Sequence, residues 1–230
     1  MAAATEASSF DHLVSELDFT APTWLCYFMS YHRSDKGSLS PATSHHNYTI
    51  LYNHLFESMR DRPLRIFELG LGTNNTDVPS NMGPSGRPGA SLYGWREYFP
   101  NASIFGADID RRILFESDRI RTYYCDQTNP DSIRDLWDSP GLSEEGFDII
   151  VEDGLHKHAA NVCFFENSIH KLNVGGYYII EDLYCDQRHL HEASLEEWKT
   201  RFPNMKFGLL VLPSKTNIWD NTVILVQRMS

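Results

Sequence analysis

The chain of 230 residues has no run approaching the roughly 18 apolar residues that a membrane-spanning helix needs. Met1 to Ser9 are small and polar, with no basic patch and no apolar core, so a secretory leader is not expected. Basic residues are in deficit, 20 Lys and Arg against 31 Asp and Glu, for a formal net charge of -11. A sequence-independent nucleic-acid binder needs a basic footprint, so that class is disfavoured and a small-molecule enzyme fits better. Cysteine is sparse: Cys26, Cys125, Cys163 and Cys185 are scattered and form no Cys-x-x-Cys pair. That spacing predicts reduced thiols in a cytoplasmic protein and argues against a zinc site built on them. Repeats and low-complexity tracts are also missing. So is any strand-like pattern before residue 60, where aromatic and histidine clusters sit at helical spacing instead.

What is there begins at Phe67-Glu68-Leu69-Gly70-Leu71-Gly72. A short apolar run ends in a carboxylate and then in two glycines, which let a backbone turn sharply and approach a ligand. A loop of this kind after a buried strand is a nucleotide-binding position in open α/β sheets. Three further apolar runs end in carboxylates: Gly106-Ala107-Asp108, Ile149-Ile150-Val151-Glu152-Asp153 and Tyr178-Ile179-Ile180-Glu181-Asp182. The pattern predicts a site along the strand ends of one parallel sheet.

Strands are expected at 65–69, 103–108, 120–124, 147–152, 176–181, 205–212 and 221–227. Helices are expected at 10–17, 23–29, 48–60, 89–98, 131–137, 159–172 and 194–201. The alternation implies an α/β, Rossmann-like, seven-stranded and mostly parallel sheet with helices on both faces. The short polar link 213–220 leaves no room for a crossover helix, so the last two strands should form an antiparallel hairpin. Residues 1–62 read as an N-terminal helical cap or lid and residues 63–230 as the core. The Gly/Pro/Asn-rich segment 73–91 interrupts the rhythm, and loops of that length in compact domains are usually functional or disordered.

Asp108 can accept both ribose hydroxyls of a nucleoside as charge-assisted hydrogen bonds, with Asp110 the weaker candidate. A dinucleotide fold would place that acid about 20 residues past the glycines, whereas 40 residues separate Glu68 from Asp108. A dehydrogenase is therefore not the expectation. Asp153, Glu181 and Asp182 close two strands joined by one crossover, and three converging carboxylates repel unless a cation neutralises them. Oxygen donors with open positions favour magnesium. His156, three residues past Asp153, carries an imidazole suited to proton transfer near neutral pH. Its competing roles are orientation of Asp153 and, for the base itself, a carboxylate of the same site; His158 is a weaker competitor.

These motifs resemble class I S-adenosylmethionine-dependent methyltransferases. More narrowly, they resemble the metal-dependent O-methyltransferases of macrolide and sugar tailoring and the related proteins labelled cephalosporin hydroxylases. The glycine motif carries the resemblance, with Ser91-Leu92-x-x-Trp95, Gly106-Ala107-Asp108-Ile109, Asp126-Gln127, Glu152-Asp153-Gly154-Leu155-His156 and Gly175-Gly176 through Leu183. It extends more loosely to Asp35-Lys36-Gly37-Ser38 and His46-x-Tyr48. The family's Tyr-Glu after the latter is replaced by Tyr52-Asn53.

The resemblance implies S-adenosylmethionine bound by Glu68, Gly70, Gly72, Ser91, Asp108, Asp126 and Gln127. It implies Mg2+ at Asp153, Glu181 and Asp182, and catalysis through His156 and Asp153. The acceptor would be a hydroxyl of a sugar, glycoside or polyketide; neither a nucleic acid nor a membrane is an expected partner, and a homo-oligomer is compatible. Asp35, Lys36, His45, His46 and Tyr48 are candidates for a cofactor or substrate lid, or equally for a packed helical layer. The alternatives in function are a non-catalytic binding protein on the same scaffold and a hydroxylase-type tailoring enzyme.

Overall fold

The computed structural model describes Phe10 and residues 12–230. The expected helix over 10–17 therefore lies partly outside the described residues; what is described there is a short 3-10 turn, Leu13–Glu16. Six α-helices follow: α1 Trp24–His32, α2 Tyr48–Phe56, α3 Ala90–Tyr98, α4 Pro130–Trp137, α5 His158–Ser168 and α6 Arg188–Arg201. The strands are β1 Arg65–Leu69, β2 Ser103–Asp108, β3 Glu116–Ser117, β4 Ile120–Tyr124, β5 Phe147–Glu152, β6 Leu172–Ile180, β7 Met205–Val211 and β8 Thr222–Arg228. No helix among the described residues is long and apolar enough to cross a membrane.

Spatial order is β3-β4-β2-β1-β5-β6-β8-β7. The five strands β4, β2, β1, β5 and β6 are parallel, and β8 and β7 close one edge antiparallel. The expected hairpin at the C-terminal end is present. The count of seven strands is corrected to eight: the two-residue β3 pairs antiparallel with β4 at the opposite edge. A reversal through Asp118 and Arg119, with Arg119 at φ +58, makes that pairing. Two exposed polar residues carry no period that a sequence pattern could register.

Side chains alternate between two cores, as a pleated strand requires. Ile66, Ile104, Ile149, Val151 and Ile179 face the layer of α1, α2 and α3, against Leu25, Met29, Leu51 and Trp95. Phe67, Phe105, Ile150, Tyr178 and Ile180 face the layer of α4, α5 and α6, against Ile133, Phe164 and Trp198. Each fully buried large apolar side chain is worth about 1.5–3 kcal/mol. The N-terminal helices form a packed layer, one of the two arrangements the sequence left open. They share a continuous core with one face of the sheet, because Leu25, Met29, Leu51 and Phe56 must bury and that face is where they can.

Helix starts obey local chemistry. Asn129 caps α4, its Oδ1 accepting the Asp131 amide at 2.9 Å, and Pro130 takes the first helical position. α6 begins six residues earlier than expected from pattern, at Arg188 rather than 194, since its first turns are largely exposed and lack an apolar stripe.

Parallel pairing decides where the site lies. Leu69 pairs with Ala107 and with Glu152, and Glu152 pairs with Ile180. The next residues along, Gly70, Asp108, Asp153 and Glu181, therefore stand in a row at the carboxyl edge. Backbone bonds extend that row: the Gly70 amide donates to Ala107 at 2.9 Å, Asp153 to Leu69 at 2.8 Å and Glu181 to Glu152 at 2.9 Å.

Candidate active site

A cleft of about 710 Å³ opens over this row. Its lining includes Glu68, Gly70, Gly72, Ser91, Asp108, Asp126, Gln127, Asp153, His156 and Asp182. Gly70 sits at φ +89, and a Cβ there would lie 1.7 Å from the Asp153 carbonyl oxygen. A glycine is required for the loops after β1 and β5 to meet.

Most of the groups expected to bind the cofactor are already engaged by protein. Asp108 accepts the Leu71 amide at 2.7 Å through Oδ2 and the Asp110 amide at 2.8 Å through Oδ1. It shapes the glycine loop while facing the cleft, and each oxygen keeps a second lone pair. Burial raises its pKa against those amide bonds. Asp110 is a loop anchor. It accepts from Thr73 Oγ1 at 2.6 Å, Asn75 Nδ2 at 2.7 Å and Arg112 Nε at 2.7 Å. The Arg112 bond, first among these, holds it below the usual carboxylate range. Arg112 also grips Asp77 at 3.1 and 3.0 Å, so the inserted loop is clasped across the cleft mouth.

Glu68 is buried and accepts from Ser91 Oγ and from Trp95 Nε1 at 2.5 Å. Burial raises its pKa, with Lys36 opposing. Asp126 accepts from Thr128 through Oδ1. Gln127 spends both ends of its amide: Oε1 accepts the Leu155 amide at 2.7 Å and Nε2 donates to Glu152 at 3.2 Å. It braces the loop that carries His156. Glu152, also bonded by the Tyr178 hydroxyl at 2.8 Å, is pushed well above the carboxylate range by burial.

The acid side is built around residues from both halves of the chain. Lys36 Nζ donates to Asp153 Oδ2 at 2.6 Å and to Glu181 Oε2, and lies 3.6 Å from Glu68 Oε1. The Tyr52 hydroxyl donates to Glu181 Oε1, and the Tyr48 hydroxyl to Asp182 Oδ1 at 2.6 Å. His46 Nδ1 approaches Asp182 Oδ1 at 3.5 Å, is buried and has no hydrogen-bond partner among the described residues. Burial lifts Glu181 and Asp182 well above the carboxylate range and the Tyr48 and Tyr52 hydroxyls well above the phenol range. Asp153 is the exception: burial would raise it, but Lys36 and then His156 outweigh that and leave it lowered.

His156 Nε2 stands 3.8 Å from Asp153 Oδ1 and 3.9 Å from Asp182 Oδ2. These distances are too long for hydrogen bonds. One donor atom from each of Asp153, His156 and Asp182 lies within 4.8 Å of the others, so the three could share a cation. His156 and Asp182 both hold the left-handed conformation, at φ 55 and 54. Backbone strain of this kind concentrates at functional sites.

Of the expected residues, Asp153, Asp182 and His156 converge, and Glu181 stands behind them with both oxygens on Lys36 and Tyr52. Of the lid candidates, Lys36, His46 and Tyr48 reach the acids and Asp35 lines the cleft; His45 is exposed beside His46. His158 is turned to Ser194 at 2.9 Å, away from the base role. Sequence reading missed Tyr52, Glu152 and the Thr73–Asn75–Asp77–Arg112 clasp. Tyr52 follows Tyr48 by one helical turn, which is the signal that could have paired them.

No family model matches the chain. It is 35% identical over 152 residues to 8-demethyl-8-alpha-L-rhamnosyl tetracenomycin-C 2'-O-methyltransferase of Streptomyces olivaceus, covering 66% of this chain and 35% of that protein. It is 35% identical over 158 residues to the 3'-O-methyltransferase that acts on 8-demethyl-8-(2-methoxy-alpha-L-rhamnosyl)-tetracenomycin-C in the same organism, covering 67% and 36%. The chain thus spans about a third of the length of these relatives. Among solved structures, MycE methyltransferase from the mycinamycin biosynthetic pathway, in complex with Mg, SAH and mycinamycin VI, superposes with a TM-score of 0.68 at 21% identity. That match covers 92% of this chain and 54% of MycE. The fold is that of the class I methyltransferases, and the resemblance to the sugar and macrolide O-methyltransferases spans about two thirds of the chain.

Proposed function

We propose that this chain, with its class I methyltransferase fold and its likeness to sugar O-methyltransferases, moves a methyl group from S-adenosylmethionine to a glycoside hydroxyl with the help of a divalent cation. The observation that carries this reading is the convergence of Asp153, Asp182 and His156 beside the cleft over Gly70 and Asp108. The cofactor would lie along that cleft, its ribose toward Asp108 and its cationic methionine end toward Glu68 and the acids, where opposite charge favours it.

The donor set fits magnesium. Asp153 Oδ1 and Asp182 Oδ2 accept no hydrogen bond from the described protein groups and face one another across His156. Carboxylate oxygens with open positions suit a hard cation that keeps water and accepts a substrate oxygen. Asp153 and Asp182 would hold it, and Glu181 could join them by giving up a present partner. When bound it would polarise the acceptor hydroxyl and ease its deprotonation.

The chain's own residues do the rest. His156 Nε2 would accept the hydroxyl proton as the bond from acceptor oxygen to methyl carbon forms and the methyl–sulfur bond breaks, releasing S-adenosylhomocysteine. Methyl transfer is an in-line displacement, so most of the catalysis is alignment. Gln127 and Glu152 hold the 153–156 loop, Tyr48 holds Asp182, and the clasped 73–89 loop walls one side of the cleft. The residues before 63 supply Lys36, His46, Tyr48 and Tyr52, and the remainder supplies the cofactor cleft; we treat both as parts of one catalytic unit.

The test is methyl transfer to rhamnosylated and other 6-deoxyhexosyl polyketides, read by mass spectrometry as the gain of one methyl. Excess chelator should abolish the product and added Mg2+ should restore it. Full turnover in chelator would reject the metal-assisted reading and leave the fold untouched.

A further inference from the structure

Lys36 is a lysine with its side chain only 1% exposed, set among the side-chain carboxylates of three strand ends. Buried lysines ordinarily lose their proton to avoid the desolvation cost. Here three carboxylates surround the ammonium and offset that cost: Asp153 Oδ2 at 2.6 Å, Glu181 Oε2 in direct contact, and Glu68 Oε1 at 3.6 Å. The chain goes to some length to place it. Gly37 packs against Thr49 so closely that a Cβ would meet Thr49 Oγ1 at 2.0 Å, and the Lys36 carbonyl accepts the Thr49 amide at 3.2 Å. The loop is thereby sealed onto the start of α2, which drives the lysine stem inward.

The ammonium takes Asp153 Oδ2 and Glu181 Oε2, on the side away from the cleft. That leaves Asp153 Oδ1 and Asp182 Oδ2 toward His156. A divalent cation in this cluster would compete with Lys36 for the same negative charge, and like charges a few ångströms apart repel strongly away from bulk water. We infer that Lys36 is a positioning residue that sets the divalent-cation affinity of the site, holding Asp153 and Glu181 as an internal counter-cation so that the metal binds weakly and exchangeably. This inference rests on the metal-assisted reading above.

The experiment is Mn2+ binding, measured by calorimetry without acceptor, for the wild-type protein and for Lys36→Met, Lys36→Gln and Lys36→Arg. S-adenosylhomocysteine binding serves as the check that each variant is folded. Removing the charge should tighten Mn2+ binding by about tenfold or more in the Met and Gln variants. Arg keeps the charge and should stay within about threefold of wild type. In the wild-type protein, the isotope-labelled Nζ resonance of Lys36 should shift as Mg2+ is added.

A purely structural ion pair would lower the melting temperature without tightening the metal. Folded Met and Gln variants that bind Mn2+ no better than wild type would overturn the inference. Should neither fold, a Lys36 resonance indifferent to Mg2+ would overturn it in the native protein. Failure of the wild-type protein to bind Mn2+ would overturn the metal reading first and this inference with it. Tightened binding without any methyl transfer would support Lys36 in this role and count against the proposed reaction alone.

Discussion

At the scale of single residues, the site works through groups whose partners are already assigned. His156 keeps its Nε2 out of hydrogen-bond range of both acids, free to meet a substrate proton. His156→Ala should lower kcat by about 10²–10⁴, the usual cost of losing a general base, with S-adenosylhomocysteine binding retained. Wild-type turnover in that variant would move the base role to a carboxylate. Asp108 organises Leu71 and Asp110 and lines the cleft, and in the proposed reading it also meets the ribose. Asp108→Ala should weaken S-adenosylmethionine binding by about 1.5–3 kcal/mol, the range for hydrogen bonds to a charged group. Unchanged affinity by calorimetry would show that the cofactor does not rely on it.

At the scale of elements, α6 carries a titration that stability should report. His191 lies buried on α6, its ring 4.9 Å from that of His158 at the start of α5. Its Nδ1 has no hydrogen-bond partner among the described residues. Burial, with His158 adding to it, pulls its pKa down from 6.5 to about 4. The folded protein therefore holds the imidazole neutral while the unfolded chain protonates it first as pH falls. The associated stability is complete above pH 6.5 and is lost progressively toward pH 4, by about 3 kcal/mol at most. Urea unfolding across that window should show a shallower acid loss in His191→Leu than in wild type. Parallel curves would mean that the histidine is not held neutral.

At the scale of the whole molecule, the site joins the two faces of the fold. Lys36, Tyr48 and Tyr52 arrive from the N-terminal side of the fold, while the strands bring the acids, and Tyr178 of β6, through Glu152 of β5 and Gln127, braces the 153–156 loop from the other face of the sheet. Ligands that bind the folded state alone should stabilise all of it. S-adenosylhomocysteine at about 100 times its Kd adds about 2.7 kcal/mol. For a chain of this size that corresponds to a melting-temperature rise of roughly 5–10 °C. A calorimetric scan with and without the ligand measures it; an unmoved transition would place the cofactor elsewhere or nowhere.

Much of this was determined by the sequence alone. Apolar runs ending in Glu68, Asp108, Asp153 and Glu181 could only be buried parallel strands with their acids at one edge, because parallel crossovers bring every carboxyl end to the same side. The short link before Thr222 required a hairpin for the same kind of reason, since no crossover fits in it. His156 beside Asp153 was legible because three residues of loop cannot carry them far apart. The tertiary structure alone decided which acid faces which cation. Lys36 and Tyr52 lie 117 and 129 residues from the acids they hold, and no local spacing encodes such a contact. A strand end marks Glu181 as a ligand candidate by position, but not that Lys36 and Tyr52 already hold both its oxygens. Those partners came from packing: α1 and α2 had to bury their apolar faces on the sheet, and in doing so carried an ammonium and two phenols into the acid cluster.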